Sequence, residues 1–243
     1  MNESTMAGRG VLESAFTLLD ALTERDEMGL AQLAAATGLP KTTAHRLLGQ
    51  LVSEGAVQRR TGRYRLGPRV FQLGQTWQPA GLLRAAATRP LGQLAATTDR
   101  GGFSVTVPER GRPMLVAAIG REIDEVFPLR AGVLLPPGSA AQQILAVSDP
   151  KLVPPEGYSS RQWQRLVDTA RDRDLADHLD TRLGLSCVAA PIRDLDRKVV
   201  AALAATTTDP EQIPALVDAV RRSAGLITTN VARLIRSNHL DSF

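Results

Sequence analysis

Lys41, Thr42, Thr43, His45, Arg46 and Gln50 crowd into one short stretch of the chain, and their chemistry is that of polar recognition. Arginine donates a bidentate pair to guanine, glutamine pairs with adenine, and threonine hydroxyls bond phosphates or base edges. A second basic group, Arg59, Arg60, Arg63 and Arg65, follows a few residues on. From Lys41 to Arg69 there are seven Lys or Arg residues against Glu54 alone, a local charge of +6, whereas the whole chain carries only +4. Positive charge is thus concentrated where a polyanion would be met. Thr42, Thr43, Arg46 and Gln50 suit base edges; Lys41, His45 and the four arginines suit phosphates.

The elements that must position these groups are legible around them. Leu30, Leu33 and Ala34 share one face of a short helix that Gly38 can end in the left-handed conformation, and Pro40 suits the start of the next. In that second helix Ala44, Leu47, Leu48 and Leu51 face inward at 3.6 periodicity, leaving Thr42, Arg46, Gly49 and Ser53 outward. After Gly55 the period becomes two, with strands expected over 56–59 and 63–66 about a Thr61-Gly62 turn. A preceding helix from Val11, with Leu12, Ala15, Leu18, Leu19 and Leu22 apolar, closes the small core. The pattern is a winged helix-turn-helix, a DNA-binding arrangement. The alternatives are a protein-interaction module of the same shape and a basic ribbon that is merely a solvated face.

Three further groups invite chemistry. Gly138-Ser139-Ala140 opens a helix whose N–H groups and dipole favour a carboxylate or other anion, although Ser139 also suits plain N-capping. Cys187 begins an apolar run, where a lone thiol usually serves as packing. Cys187 with His178 and Asp177 or Asp180 supplies the residue types of a nucleophile, base and orienter. No glycine-rich nucleophile turn accompanies them, so a Cys187-based hydrolase is the rejected rival and no enzyme activity is expected. One cysteine excludes an internal disulfide, and with three scattered histidines gives no metal-ligand spacing. Neither metal nor cofactor is expected.

With 243 residues, 43% hydrophobic and 22% charged, the chain has room for two modest domains. We place the first over 8–67, a linker helix over 68–81 and the second domain over 82–240, with residues 1–8 expected to be disordered. The linker opens at Pro68, carries Val70, Phe71, Leu73 and Trp77, breaks at 79–81, and is read as packing against another subunit. The second domain should begin with a helix over 83–97 interrupted at Pro90 and continue with a hairpin of 103–107 and 114–119. A strand over 125–129, a helix over 139–147 and a polar helix over 160–179 come next. A central hairpin of 187–192 and 199–204 precedes a final helix with Ile213, Val217, Val220, Ala224, Ile227, Val231 and Leu234 on its seam. The fold class is α+β, with an antiparallel sheet in the second domain. No apolar run approaches the roughly 20 residues that span a bilayer, and no signal pattern opens the chain. Cytoplasmic location is expected, with no membrane partner.

The run Leu39-Pro40-Lys41-Thr42-Thr43-Ala44-His45-Arg46-Leu47-Leu48, followed by Gly62-Arg63-Tyr64-Arg65-Leu66-Gly67-Pro68-Arg69, resembles the DNA-binding domain of the IclR family of bacterial transcriptional regulators. Gly138-Ser139-Ala140-Ala141, 184–191 and 199–203 are similar to three marker segments of that family's effector-binding domain. The resemblance implies a C-terminal α/β (GAF-like) domain with a small-molecule pocket, and a homodimer or homotetramer on palindromic operator DNA. It also implies a repressor role, and a carboxylate-bearing effector held by Gly138, Ser139, Ala140, Ser186 and Cys187. Two departures bear on effector identity. Leu134-Leu135-Pro136-Pro137 is apolar where the family commonly carries a polar residue, and the segment before Gly184, usually acidic and aromatic, reads Asp177-His178-Leu179-Asp180-Thr181-Arg182. A less polar or smaller effector, a ligand-independent regulator, and an interaction module with an unoccupied pocket therefore stay open.

Overall fold

The computed structural model describes residues 10–96, 101–149 and 153–238; residues 1–8 of the sequence reading lie outside them. The chain divides into two compact units between Trp77 and Gln78.

The first unit contains α1 (Val11–Ala21), a two-residue strand β1 (Met28–Gly29), α2 (Leu30–Thr37), α3 (Lys41–Ser53), β2 (Val57–Arg60), β3 (Arg63–Leu66) and α4 (Pro68–Gln75). Gly38 ends α2 at φ +69°, a conformation in which a Cβ is strained, so the sharp turn into α3 depends on glycine. Leu18, Leu33 and Leu48 are fully buried and pack with Leu22, Leu47, Val57 and Tyr64 into one cluster. That burial fixes the pose of α3, since truncating any of these leucines costs about 2–5 kcal/mol. Thr61 and Gly62 both take positive φ, +47° and +77°, as a two-residue hairpin turn matched to strand twist requires. The register pairs Val57 with Leu66 and Arg60 with Arg63. Gly67 lies where β3 passes the α3–β2 connection: its N–H bonds the Ala56 carbonyl at 2.8 Å, and a Cβ there would strike the Gly55 carbonyl.

Two details differ from the sequence reading. Residues 28–29, to which the sequence reading gave no element, form a third strand, order β1-β3-β2. The helix α1 buries Ser14, Leu18 and Leu22 while Leu12 is 76% exposed and Phe16 62%, so its apolar stripe is wider than the face its own unit covers.

The second unit is a five-stranded antiparallel sheet, order β5-β4-β8-β7-β6, built from β4 (Gly102–Glu109), β5 (Arg112–Ile119), β6 (Ala176–Asp180), β7 (Leu185–Arg193) and β8 (Val199–Thr207). The helices α5 (Gln78–Ala96) and α8 (Ile213–Asn238) cover one face; α6 (Ala140–Ala146) lies against the other, with α7 (Ser160–Arg173) beside it. Side-chain alternation divides β7 between the two layers. Val188, Ala190 and Ile192 enter the α5/α8 core, and Leu185, Cys187 and Ala189 the α6 core. On α8 the buried stripe runs through Leu216, Val220, Ala224, Ile227, Val231 and Ile235, leaving the expected Ile213, Val217 and Leu234 at its border.

Several expected boundaries move, each for a physical reason. The helix α5 starts at Gln78 and runs unbroken through Pro90. Pro79 sits in its first turn, where no N–H is needed. The Ala86 carbonyl that Pro90 cannot serve accepts a 2.9 Å bond from Asn230 Nδ2 on α8. Thr97, the expected end of that helix, lies outside the described residues. Residues 121–125 form a 3₁₀ turn where a strand over 125–129 was expected, with Asp124 accepting the Leu129 N–H at 2.8 Å. The helix expected over 160–179 stops at Arg173; Asp174 takes the left-handed conformation and the chain continues as edge strand β6.

Candidate nucleic-acid interface and ligand cavity

On α3 the buried Ala44, Leu47 and Leu48 hold the opposite face out to solvent. Lys41, Thr42, His45, Arg46, Gly49 and Gln50 are exposed, and Thr43 is half-buried. Lys41 and Arg46 have no ion-pair or hydrogen-bond partner among the described residues. Their charges are therefore unspent, which is what a group meant for an external acceptor needs.

The ribbon arginines are not equivalent. Arg59 lies over the buried Tyr64 ring at 5.6 Å, its cation facing water. Arg63 donates from Nη2 to the Glu27 carbonyl at 2.9 Å and stands 3.8 Å from the Glu27 carboxylate. Arg65 donates to Gln58 Oε1 at 3.0 Å and reaches Glu27 at 4.0 Å. Arg60 is exposed at the tip. Arg69 pairs with Glu54 at 2.9 Å, fastening α4 to the end of α3. Glu27 thus holds two wing arginines in place and offsets part of their charge. The sequence reading passed over it because it lies in the connection before β1.

In the second unit a small apolar cavity of about 50 Å³ lies under the α6 face of the sheet, walled by Ile123, Phe127, Leu129, Leu135, Pro136, Leu183 and Leu185. Its polar rim is Ser139, His178, Asp180, Cys187 and Thr206. Among the described residues no Arg or Lys lines it. Of the five residues expected to bind an effector, Ser139 and Cys187 reach this cavity. Gly138 does not: it takes φ +82° with the Tyr158 ring where a Cβ would be, and its N–H donates to Gln142 Oε1 at 2.7 Å. Ala140 is fully buried in the core beneath α6. Ser186 is buried one residue along β7, on the opposite face from Cys187. Period-two alternation forbids both from facing one ligand.

Ser139 caps α6, accepting the Gln142 N–H at 3.4 Å, so the expected capping role is present beside the cavity-lining one. His178 and Asp180 were missed as cavity residues because a helix over 160–179 scatters them. As strand residues two apart they share a face, and His178 pairs across the register with Cys187. The apolar residues of that run, Ala176 and Leu179, are three apart, so no period-two signal in the chain marked it as a strand.

The rejected nucleophile, base and acid are therefore brought to one cavity, but their chemistry is not activated. Burial pushes the Cys187 thiol up to about 11, and its S–H donates to the His178 carbonyl at 3.5 Å, not to the imidazole. Burial also holds the His178 imidazole below its ordinary range, against the opposing pull of Asp180 and Asp177. Among the described residues no group of His, Cys, Asp and Glu is arranged to hold a metal, and no helix is long and apolar enough to cross a membrane.

An outward polar helix beside a basic wing defines a DNA-binding regulator of the winged helix-turn-helix class. Residues 11–61 match the model of the IclR helix-turn-helix domain. The chain is 28% identical to the glycerol operon regulatory protein of Streptomyces griseus and 29% to that of Streptomyces coelicolor, each alignment covering 90% of this chain and 95% of the relative. An IclR homolog from Microbacterium hydrocarbonoxydans, solved with 4-hydroxybenzoate, shares the fold with TM-score 0.78 at 21% identity, over 91% of this chain and 99% of that one. Thermotoga maritima IclR does so with TM-score 0.68 at 19% identity, over 90% and 98%. The first unit therefore carries a helix-turn-helix domain of the IclR type, in a chain similar along most of its length to the glycerol operon regulatory proteins.

Proposed function

We propose that this regulator is a repressor that binds a palindromic operator as a homodimer or dimer of dimers and is released by a small molecule held in the cavity of its second unit. The observation that carries the reading is the outward face of α3, with Lys41 and Arg46 unpartnered, beside a wing of four arginines. Thr42, Thr43, Arg46 and Gln50 read bases; Lys41, His45, Arg59 and Arg60 hold phosphates, with Arg63 and Arg65 partly neutralised by Glu27. Phe71, 69% exposed, and Leu73, 64% exposed, leave α4 an uncovered apolar side, which supports self-association through the linker segment. Two half-sites read together multiply affinity. A thiol held protonated supports a role in binding and not in catalysis. The site of action is the cytoplasm.

Fluorescence anisotropy with duplexes tiled across the DNA upstream of the protein's own coding region tests this. The glycerol operon regulators among the relatives make a neighbouring catabolic operon the next duplex to try. A saturable complex on one duplex, at least about 10³-fold tighter than on scrambled DNA at equal salt, is expected. A reporter driven from that duplex should rise when the protein is deleted. Equal affinity for every duplex would refute sequence-specific regulation, and a reporter that falls would make the protein an activator.

A further inference from the structure

Resting on the reading of the chain as a DNA-binding regulator, we propose that the outer face of α5 and α8 is a second DNA-contacting surface, one that holds backbone phosphates without reading sequence. These two helices carry six arginines against one acid, Asp218, a charge of +5 where the whole chain has +4. On α8 the placement is ordered. Arg222, Leu226, Thr229, Arg233 and Arg236 recur at three- and four-residue steps and are all exposed, across the helix from the buried stripe of Val220, Ala224, Ile227 and Val231. From Arg222 to Arg236 that outer stripe runs about 21 Å, at 1.5 Å per residue. The Asn230 side chain bonds the Ala86 carbonyl of α5; exposed Arg89 and Arg233 each lie three residues beyond an end of that bond, so both helices present arginine on one side of the unit.

These charges are not consumed within the protein. Arg89, Arg221, Arg222, Arg233 and Arg236 take part in no ion pair among the described residues. Arg233 donates only to Asn230 Oδ1 at 3.2 Å, and Arg236 to the Ala232 carbonyl of its own helix at 3.1 Å. The occupant such a face fits is a polyanion. A folded protein partner would seat on an apolar core kept clear of charge, whereas Leu226 is the one large apolar side chain exposed on either helix among the described residues. A second copy is opposed by charge: antiparallel pairing about Leu226 and Thr229 sets Arg222 of one copy against Arg233 of the other, and parallel pairing sets each arginine against itself. Protein–DNA interfaces are instead polar and strongly positive, and a phosphate offers each guanidinium a charge-assisted bond with no acid to displace.

The full chain carrying Arg89→Gln, Arg222→Gln and Arg233→Gln together tests this. Its charge-matched control carries Arg110→Gln, Arg130→Gln and Arg161→Gln, three exposed positions outside α5 and α8. Glutamine keeps helix propensity close to that of arginine, so both proteins should fold. Fluorescence anisotropy follows binding to a scrambled duplex of about 60 base pairs between about 50 and 200 mM salt. Loss of three phosphate contacts should make the slope of log affinity against log salt shallower by about two to three units, and weaken binding at least about tenfold at the low-salt end. The control should keep the wild-type slope within about half a unit. An unchanged slope in the α5/α8 variant, with the wild-type chain binding normally, would overturn the proposal and leave the winged-helix reading intact. An equal loss in the control would reduce the effect to net charge and overturn it as well. A wild-type chain that bound no duplex even at low salt would bring down the regulator reading itself, and the proposal with it.

Discussion

Replacing Glu27 with glutamine should strengthen DNA binding, an outcome opposite to that of most substitutions near an interface. Its carboxylate stands 3.8 Å from Arg63 Nε and 4.0 Å from Arg65 Nη1, on side chains that remain between a third and a half exposed. Pairs of that kind contribute about 0–1 kcal/mol to stability. Arg63 also keeps its 2.9 Å bond to the Glu27 main-chain carbonyl, so the wing stays placed and the protein loses less than about 1 kcal/mol. On DNA, the same change removes a negative charge lying within a Debye length, about 10 Å at 0.1 M salt, of the phosphates the wing would approach. One unit-charge repulsion in water is worth about 1 kcal/mol at 4 Å and less farther out. Acting on one or two phosphates, its loss should tighten binding about three- to tenfold. The slope of log affinity against log salt should steepen by up to about one unit if the freed arginines neutralise a further phosphate. Anisotropy titrations from 50 to 200 mM salt measure both quantities. The gain should be equal on operator and scrambled duplexes, because phosphate contacts carry no sequence information. Unchanged affinity and slope on both duplexes would show that the wing does not meet the backbone. A gain confined to the operator would show that the wing reads bases.

Arg46→Ala removes an exposed, unpartnered side chain, so stability should hold within about 0.5 kcal/mol, while operator affinity falls by about 1–3 kcal/mol with scrambled DNA almost unaffected; paired denaturation and anisotropy curves read this out. Leu48→Ala, at a fully buried position, should cost the first unit about 2–5 kcal/mol and abolish operator binding, with calorimetry showing that the transition of the second unit is retained. Because burial raises the Cys187 thiol to about 11 from an ordinary 9.0, the folded state holds its proton where the unfolded state releases it. That contribution is fully present below pH 9 and is lost as pH rises toward 11, at most roughly 2–3 kcal/mol in all, and Cys187→Ser should flatten the slope in urea titrations. His178 has the opposite sign. Its folded-state pKa is depressed below 6.5, so stability it contributes at neutral pH should decline as pH falls through that value, and His178→Gln should remove the decline.

The first unit was legible in the chain because its determinants are local. Gly38 specifies a turn by its own backbone freedom, Leu47 and Leu48 specify a face by their spacing, and Thr61-Gly62 specifies a hairpin between strands already close in sequence. The outward residues of α3 follow from the inward ones by rotation alone, so Lys41, Arg46 and Gln50 needed no tertiary information. The second unit is different, since its sheet joins strands far apart in the chain and its cavity is made where β6, β7, β8, α6 and the 121–136 segment converge. The sequence reading grouped Ser139, Ser186 and Cys187, and the fold brings Ser139 and Cys187 to one cavity but turns Ser186 the other way, because the reading of β7 did not assign its faces to separate layers. Nor could it place His178 and Asp180, whose side of the molecule depends on Asp174 ending α7 and freeing β6 to pair with β7. Amino-acid order by itself determined a winged helix with a polar reading face. Only tertiary packing decided that Glu27 already offsets two of the wing's charges, because an ion pair between residues far apart in the chain leaves no periodicity in it.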